Sequence, residues 1–335
     1  MKRDQHFLLI GGAGYVGAHM AKLLLEKGHQ VTVVDDLSSG HRASLLGGKL
    51  LVHDFSDRTF LNQLFSSHAF DGVFHFASRI LVGESIANPA KYFRENTVAT
   101  LTLLEAMRDN DVNRLIFSST AAVYGEPQYL PIDELHQKVP MNPYGSSKYM
   151  AELMMADFAR AHRLQYVALR YFNAAGADSQ ARLGERHDPE THLIPLALKA
   201  VLGTNPPLKI FGTDYSTPDG TCIRDYIHVD DLASAHLLAM KYLIQGGEST
   251  AFNLGNGAGY SVQQVVDVVT KVTGKQVPVE LAPPREGDPE RLVADANKAR
   301  LVLGWQPELN DLETIIQHAW NWELRLKHTE ENVIE

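Results

Sequence analysis

The sequence predicts an α/β protein, a doubly wound parallel sheet followed by a smaller C-terminal α/β domain. Three observations predict it. From residue 7 to about 173, short β-branched or aromatic runs alternate with longer helical patterns, the signature of parallel βαβ units. A glycine-rich turn joins the first run to the first helix, and after Asn173 the alternation weakens. The runs are FLLI, VTVVD, KLLVHD, GVFHFA, RLIFSS and YVALRYFN. Val16, Met20, Leu23 and Leu24 recur at helical spacing and would bury one face of a crossover helix on the sheet. Val98, Leu101 and Leu104 do the same later, and Gly28 and Asn110 stand where C-terminal stop signals belong. The polar stretch AAGADSQARLGERHDPETH then precedes the apolar LIPLALKAVL. We therefore expect a first domain over 1–176 and a second over 177–335, with YIHVDDLA and AFNLGN (near 225–235 and 251–256) returning to the first. Ser261 and Gln264 form a capping box ahead of Val265, Val266 and Val269. The last residues, HTEENVIE, are polar and expected to fray.

The chain of 335 residues is 44% apolar and 21% charged, the composition of a folded globular protein of about two domains. Its 31 basic and 40 acidic residues give a formal charge of -9, which would repel a phosphate backbone, so nucleic acid is excluded as a partner. Cys222 stands alone and forbids an intrachain disulfide, which fits a reducing compartment. Lys2 and Arg3 before Phe7–Ile10 mimic a secretory leader, but the glycine turn breaks the apolar run too early. Charged or Gly residues interrupt every candidate membrane span, so we expect a cytoplasmic protein with no membrane partner.

Gly11, Gly12, Gly14 and Gly17 lie between a strand and a helix. Backbone can approach a pyrophosphate closely only where no Cβ intervenes, and the helix N-terminus adds free N–H groups and positive dipole. This is the dinucleotide fingerprint of a Rossmann-like sheet, with Asp35 ending the next strand eighteen residues after Gly17. A carboxylate there accepts from the adenosine ribose hydroxyls and repels a 2′-phosphate, favouring NAD over NADP. A solvated strand-end turn at Asp35 and Asp36 is the plainer reading, and Asp54 serves equally as adenine contact or turn cap. Tyr144 and Lys148 share one helix face at i,i+4 behind Asn142-Pro143. An ammonium beside a phenol lowers the phenol pKa toward general-base use. Thr120 ends the RLIFSST strand, at the carboxyl end of the sheet where ligands of open α/β folds bind; its hydroxyl could meet a reacting oxygen or simply satisfy backbone.

The motifs GGAGYVGAH, VVDDLSSGHR, HFAS, VGES, FSSTAAVYGEP, NPYGSSKYMAE, RYFNAAGA, LKIFGTDYSTPDGTCIRDYIHVDDLA, PPREGDPERLVADANKA and LGWQP run from Phe7 to the final helix. Together they resemble the extended short-chain dehydrogenase/reductases, and within them the UDP-hexose 4-epimerases. The resemblance implies that UDP-galactose and UDP-glucose interconvert through a 4-ketone on a retained NAD, with Tyr144 as base, Lys148 holding the nicotinamide ribose and Thr120 assisting at the sugar oxygen. It implies cofactor contacts from Gly11, Gly14, Tyr15, Val16, Gly17, Asp35, Asp36, Asp54, Phe55, Phe76, Ala77, Ser78, Asn96, Ser118, Tyr144, Lys148 and Phe172. It implies UDP-sugar contacts from Thr120, Tyr144, Asn173, His192, Leu193, Lys209, Phe211, Arg224, Arg285 and Asp288. Arginine suits that second task because its planar fork pairs two phosphate oxygens. A homodimer built on two helices of the cofactor domain is also implied.

Three positions depart from relatives. Ser78-Arg79-Ile80 stands where some carry Lys, His192 where others carry Asn, and Leu292 where some carry a larger residue, often Tyr. A roomier pocket at Leu292 would admit N-acetylated UDP-sugars. A 4,6-dehydratase needs an acid and a base after the threonine, and here Ala121 and Ala122 follow Thr120. A dehydrogenase releasing NADH and a non-catalytic NAD-binding regulator stay as alternatives. His187 and His192, five apart, have carboxylates nearby and no Cys partners, which argues against zinc, and we expect no metal.

Overall fold

The computed structural model describes residues 4–285 and 289–334. β1 (His6–Ile10) turns into α1 (Tyr15–Glu26), followed by β2 (Gln30–Asp35), β3 (Lys49–Val52), α2 (Arg58–Ser67) and β4 (Gly72–His75). Short α3 (Val82–Ala87) and α4 (Pro89–Tyr92) lead through a π-helical turn, Phe93–Val98, into α5 (Ala99–Asp109). Then come β5 (Arg114–Thr120), α6 (Pro143–Ala161), β6 (Gln165–Tyr171) and β7 (Asn173–Ala175). The C-terminal part carries α7 (Leu193–Leu202), β8 (Leu208–Phe211), β9 (Ile223–Arg224), β10 (Tyr226–His228), α8 (Val229–Ile244) and β11 (Thr250–Leu254). It ends with β12 (Tyr260–Ser261), α9 (Val262–Thr273), β13 (Val279–Ala282), β14 (Arg291–Leu292), α10 (Asn297–Leu303) and α11 (Leu312–Ile334).

Seven strands form one parallel sheet in the order β11-β6-β5-β4-β1-β2-β3. The chain runs outward from β1 to β3 and then returns to β4 on the other side, so the order reverses between β1 and β4. Ligands of open α/β sheets bind in the crevice at the carboxyl ends of the strands flanking such a reversal. Alternation along each strand feeds two cores. Phe7, Leu9, Val33, Phe74 and Ile116 face α1 and α8, whereas Leu8, Ile10, Val34, Val73 and Leu115 face α2, α5 and α6. Each such fully buried side chain contributes roughly 1.5–3 kcal/mol of transfer free energy. Burial on both faces explains why these strands read as unbroken apolar runs.

Gly28, at φ +80°, follows the end of α1, and Asn110 is the C-cap of α5. The capping box of α9 forms with both its hydrogen bonds. Of the two returning segments, residues 250–254 add the edge strand β11 beside β6. Residues 226–228 instead pair with β7 outside the main sheet, and α8 then carries the chain back against α1. A further core lies among α7, α9, α11, β8 and β10, centred on Leu198, Ile210, Val265, Val269, Ile315 and Trp320. Among the described residues, no helix is long and apolar enough to cross a membrane.

Candidate active site

The carboxyl ends of β1, β2, β4, β5 and β6 open into one cleft of ≈ 1240 Å³. Each glycine at its floor has a separate physical task. Gly11 has φ +76°, and a Cβ on it would lie 2.4 Å from the Ala77 main-chain nitrogen, so only glycine lets β1 and β4 end this close together. A Cβ on Gly17 would lie 2.4 Å from the Gly11 carbonyl oxygen, which fixes the packing of α1 on the turn. Gly14 differs, since its nearest prospective contact is at 3.5 Å and it borders the cleft. It is also the N-cap of α1 and offers no side-chain cap, leaving first-turn N–H groups for a ligand. A cradle that a Cβ would fill, at a helix N-terminus, fits the pyrophosphate of a dinucleotide.

Asp35 ends β2 at 8% exposure, with its carboxylate accepting from Ala13 N and Leu37 N, each at 2.9 Å. It is thus not a solvated turn. Burial raises its pKa, opposed by those two N–H bonds, and two accepting oxygens keep lone pairs for ribose hydroxyls. Asp36 accepts from Ser38 N at 2.9 Å and Asp54 from Ser56 N at 2.8 Å, so Asp54 caps its turn, and both residues line the cleft.

Asn142 caps α6 by accepting from Gly145 N at 2.9 Å, and Pro143 occupies its first turn. This start places Tyr144 on the cleft wall and Lys148 behind it, 3% exposed. The Lys148 ammonium donates to the Ser118 carbonyl at 2.8 Å and lies 4.8 Å from the Phe117 ring centre. Burial pushes its pKa down to about 7, opposed by Glu152. The Tyr144 phenol is raised by burial, and the group that opposes this is Thr120, through a side-chain hydrogen bond. Thr120 Oγ1 already accepts from Ala122 N at 3.1 Å, so its hydroxyl proton is free to donate to the phenol oxygen and favour the phenolate. Lys148 is thus held on the main chain of β5.

Of the expected cofactor contacts, Gly11, Gly14, Tyr15, Val16, Gly17, Asp35, Asp36, Asp54, Phe55, Phe76, Ala77, Ser78, Ser118, Tyr144 and Phe172 line this cleft. Asn96 sits behind it. Its Oδ1 accepts from Arg79 N at 2.7 Å and its amide donates to Arg79 O and Ser147 Oγ, both at 3.0 Å, so it braces the Ser78–Arg79 segment. Arg79 itself lines the cleft with its guanidinium on Glu95, Nε to Oε2 at 2.5 Å. Of the expected sugar-nucleotide contacts, Thr120, Asn173, His192, Arg224 and Arg285 line the cleft, as does Leu292. Phe211 lies under the Arg285 guanidinium at 3.9 Å from the ring centre. Lys209 is exposed on β8, Leu193 opens α7 next to His192, and Asp288 lies outside the described residues.

Two residues escaped sequence reasoning. Tyr171 ends β6 in register with Thr120, lines the cleft and shares a hydrogen bond with Ser118. Its signal was its strand-end position directly before Phe172 and Asn173. Glu152, one helical turn beyond Lys148, is bound by Arg170 and Ser119. His187 and His192, expected to hold no metal, are brought together with Glu185 and Glu190 at the cleft wall.

The model of the NAD dependent epimerase/dehydratase family matches residues 7–255. A UDP-glucose 4-epimerase of Halalkalibacterium halodurans is 50% identical over 321 residues, covering 96% of this chain and 96% of that protein. The crystal structure of UDP-glucose 4-epimerase from Brucella ovis in complex with NAD is 47% identical, with a TM-score of 0.93 over 94% of this chain and 97% of that one. The UDP-Glc/GlcNAc 4-epimerase of Campylobacter jejuni is 44% identical, with a TM-score of 0.85 over 96% of this chain and 99% of that one. A fingerprint cradle that fits a dinucleotide, Tyr144 on the cleft wall with Lys148 buried behind it, and these likenesses agree: the chain belongs to the NAD dependent epimerase/dehydratase family.

Proposed function

We propose that this protein interconverts UDP-galactose and UDP-glucose at sugar C4. The observation that carries it is that Tyr144 at the start of α6 and Thr120 at the end of β5 line the same cleft as the glycine cradle. NAD, when bound, accepts the hydride from C4 and returns it to the opposite face of the 4-ketone. Tyr144 takes the proton of the sugar 4-hydroxyl and later gives it back. Thr120 steadies the phenolate by donating to it, and Lys148, fixed on Ser118 O, stands behind the ribose side of the cradle. Asp35 with the turn from Gly11 to Gly17 holds the dinucleotide, and Asn96 keeps the Ser78–Arg79 wall in place. Arg224 and Arg285 offer the charge for the diphosphate, and Phe211 beneath Arg285 offers a face for uracil.

The test is to add UDP-galactose to purified protein without added cofactor, chromatograph the sugar nucleotides and follow absorbance of NADH. Conversion to UDP-glucose with no NADH release supports epimerisation. Stoichiometric NADH release means a dehydrogenase, and an unaltered sugar discards the reading. Ala121 and Ala122 beside the Thr120 hydroxyl supply no acid or base for eliminating water, which disfavours a dehydratase.

Leu292 on the cleft wall favours one extension, to N-acetylated UDP-hexoses. UDP-N-acetylglucosamine is expected to be epimerised, and Leu292→Tyr to reduce kcat/KM for it by about tenfold or more while sparing UDP-glucose, as roughly 1–3 kcal/mol of pocket discrimination allows. Absence of product with the unaltered protein removes the extension.

We assign residues 1–176, with the two returning segments, to cofactor binding and 177–335 to the sugar nucleotide. We also infer a cytoplasmic homodimer. Val98, Met150 and Leu153 are exposed beside each other's helices α5 and α6, 54%, 43% and 49% respectively, and pairing of these faces would cover them. Sedimentation is expected to give a dimer that Leu153→Lys weakens; a wild-type monomer at micromolar concentration would rule the dimer out.

A further inference from the structure

We propose that Glu185, His187, Glu190 and His192 bind one divalent transition-metal ion, best matched by zinc, that closes the loop between β7 and α7 onto the cofactor cleft. One ligand atom from each of the four lies within 4.8 Å of all the others. The His187 Nδ1 is 3.0 Å from Glu185 Oε1 and 3.8 Å from Glu190 Oε1, and the His192 Nδ1 is 2.5 Å and 3.4 Å from the same two atoms. A tetrahedron with bonds of 2.0–2.1 Å has edges of roughly 3.3 Å, in the middle of that spread.

Against burial, the two carboxylates raise the pKa of both imidazoles, as in an ion-pair cluster, yet the angles leave buried polar atoms unmatched. Glu185 Oε1, His187 Nδ1, Glu190 Oε2 and His192 Nδ1 are all buried and have no partner of hydrogen-bond geometry. Glu185 is the most telling, because at 4% exposure it turns an unsatisfied carboxylate oxygen into the cluster. Buried polar atoms left in this state cost about 1–3 kcal/mol each, and four converging ones call for a shared partner. In Glu190 the oxygen nearest the two imidazoles, Oε1, also accepts from Thr191 N at 2.7 Å and His192 N at 2.9 Å, while Oε2 is buried without a hydrogen-bond partner.

The donor set selects the ion. Two carboxylates and two imidazoles, whose protons an ion would displace, suit a borderline dication, cancel its charge, and fill all four positions of a tetrahedral zinc, as a structural site does. The surrounding framework orients the ligands. Trp322 Nε1 donates to Glu185 O at 2.8 Å, and the Tyr15 ring meets the His187 ring edge-on with centres 6.3 Å apart. Tyr15 in turn donates to Gly176 O at 2.7 Å, at the start of the same loop. An ion here would tie that loop to the first turn of α1. The inference is independent of the proposed reaction, since it needs no substrate.

The test uses tag-free full-length protein, dialysed against a chelator and titrated with Zn2+ alone in competition with a chromophoric chelator. One equivalent is expected to bind, raising the thermal midpoint by roughly 5 °C at about 100 times its Kd. His187→Gln and Glu190→Gln are each expected to weaken binding more than about 10²-fold, beyond the ~10–100-fold typical of outer-shell losses. Because a variant could misfold, X-ray absorption on the zinc-loaded unaltered protein provides a separate check. It should show only nitrogen and oxygen at about 2.0–2.1 Å, with two imidazoles. No stoichiometric uptake, unchanged affinity in both variants, or a shell with sulfur or a single imidazole would overturn the proposal.

Discussion

Replacing Tyr144 with Phe is expected to lower kcat by about 10²–10⁴ while leaving the fold and the NAD content intact. The magnitude is that of a lost general acid–base group. Tyr144 is half-buried on the cleft wall, so Phe keeps the packing and removes one oxygen, and Thr120 Oγ1 retains its bond from Ala122 N. The effect should fall on kcat rather than on KM, because the sugar hydroxyl loses its proton acceptor and not its pocket. The pH profile supplies a second readout. Burial raises the phenol pKa, so the base form gains population as pH rises, and the rate should climb through that range in the unaltered enzyme. The variant should lack this limb. Thr120→Ala should shift the limb upward in pH, since the hydroxyl lowers the phenol pKa. Near-normal turnover of Tyr144→Phe would refute the assignment of the base.

Gly11→Ala is expected to destabilise the protein by about 3 kcal/mol or more and to strip it of NAD. Two costs add. A φ of +76° costs an L side chain roughly 1–2 kcal/mol, and a Cβ only 2.4 Å from the Ala77 main-chain nitrogen forces β1 and β4 apart, an overpacking of typically 1–3 kcal/mol. Gly28→Ala is the matched control. It shares a φ of +80° but has nothing within 4 Å of its prospective Cβ, so only the backbone cost applies. The urea midpoint of Gly11→Ala should therefore fall well below that of Gly28→Ala, and bound NAD, read by absorbance after heat release, should drop only in the former. Equal midpoints would mean that the close approach of the two strands carries no energy.

What could be read from the residues was whatever local spacing controls. The glycine turn, the Tyr144–Lys148 helix face and the strand-end hydroxyl of Thr120 each span a few residues, and the βα alternation orders the strands around them. YIHVDDLA looked sheet-like along its length, yet only Tyr226–His228 is strand, paired with β7, because the Asp230 N–H bonds the His228 ring and starts α8 there. Short apolar runs do not declare which partner they will meet. The same limit hid the bracing role of Asn96 and the outward position of Lys209, both decided by packing between distant segments. The mooring of the Lys148 ammonium was hidden for a related reason. Helical spacing puts an ammonium and a phenol on one side of α6, but the carbonyl that claims the ammonium belongs to β5. The cluster of Glu185, His187, Glu190 and His192 has no periodicity at all, and only the loop's path makes its four atoms converge.

That carbonyl has a genetic corollary. A lysine moored to a peptide oxygen is moored to something every residue type provides, so exchanging Ser118 for Ala or Cys would alter its tie to Tyr171 without casting off the ammonium. The anchorage of Lys148 therefore does not depend on the hydroxyl at position 118, and only a change that bends β5 itself could set it adrift.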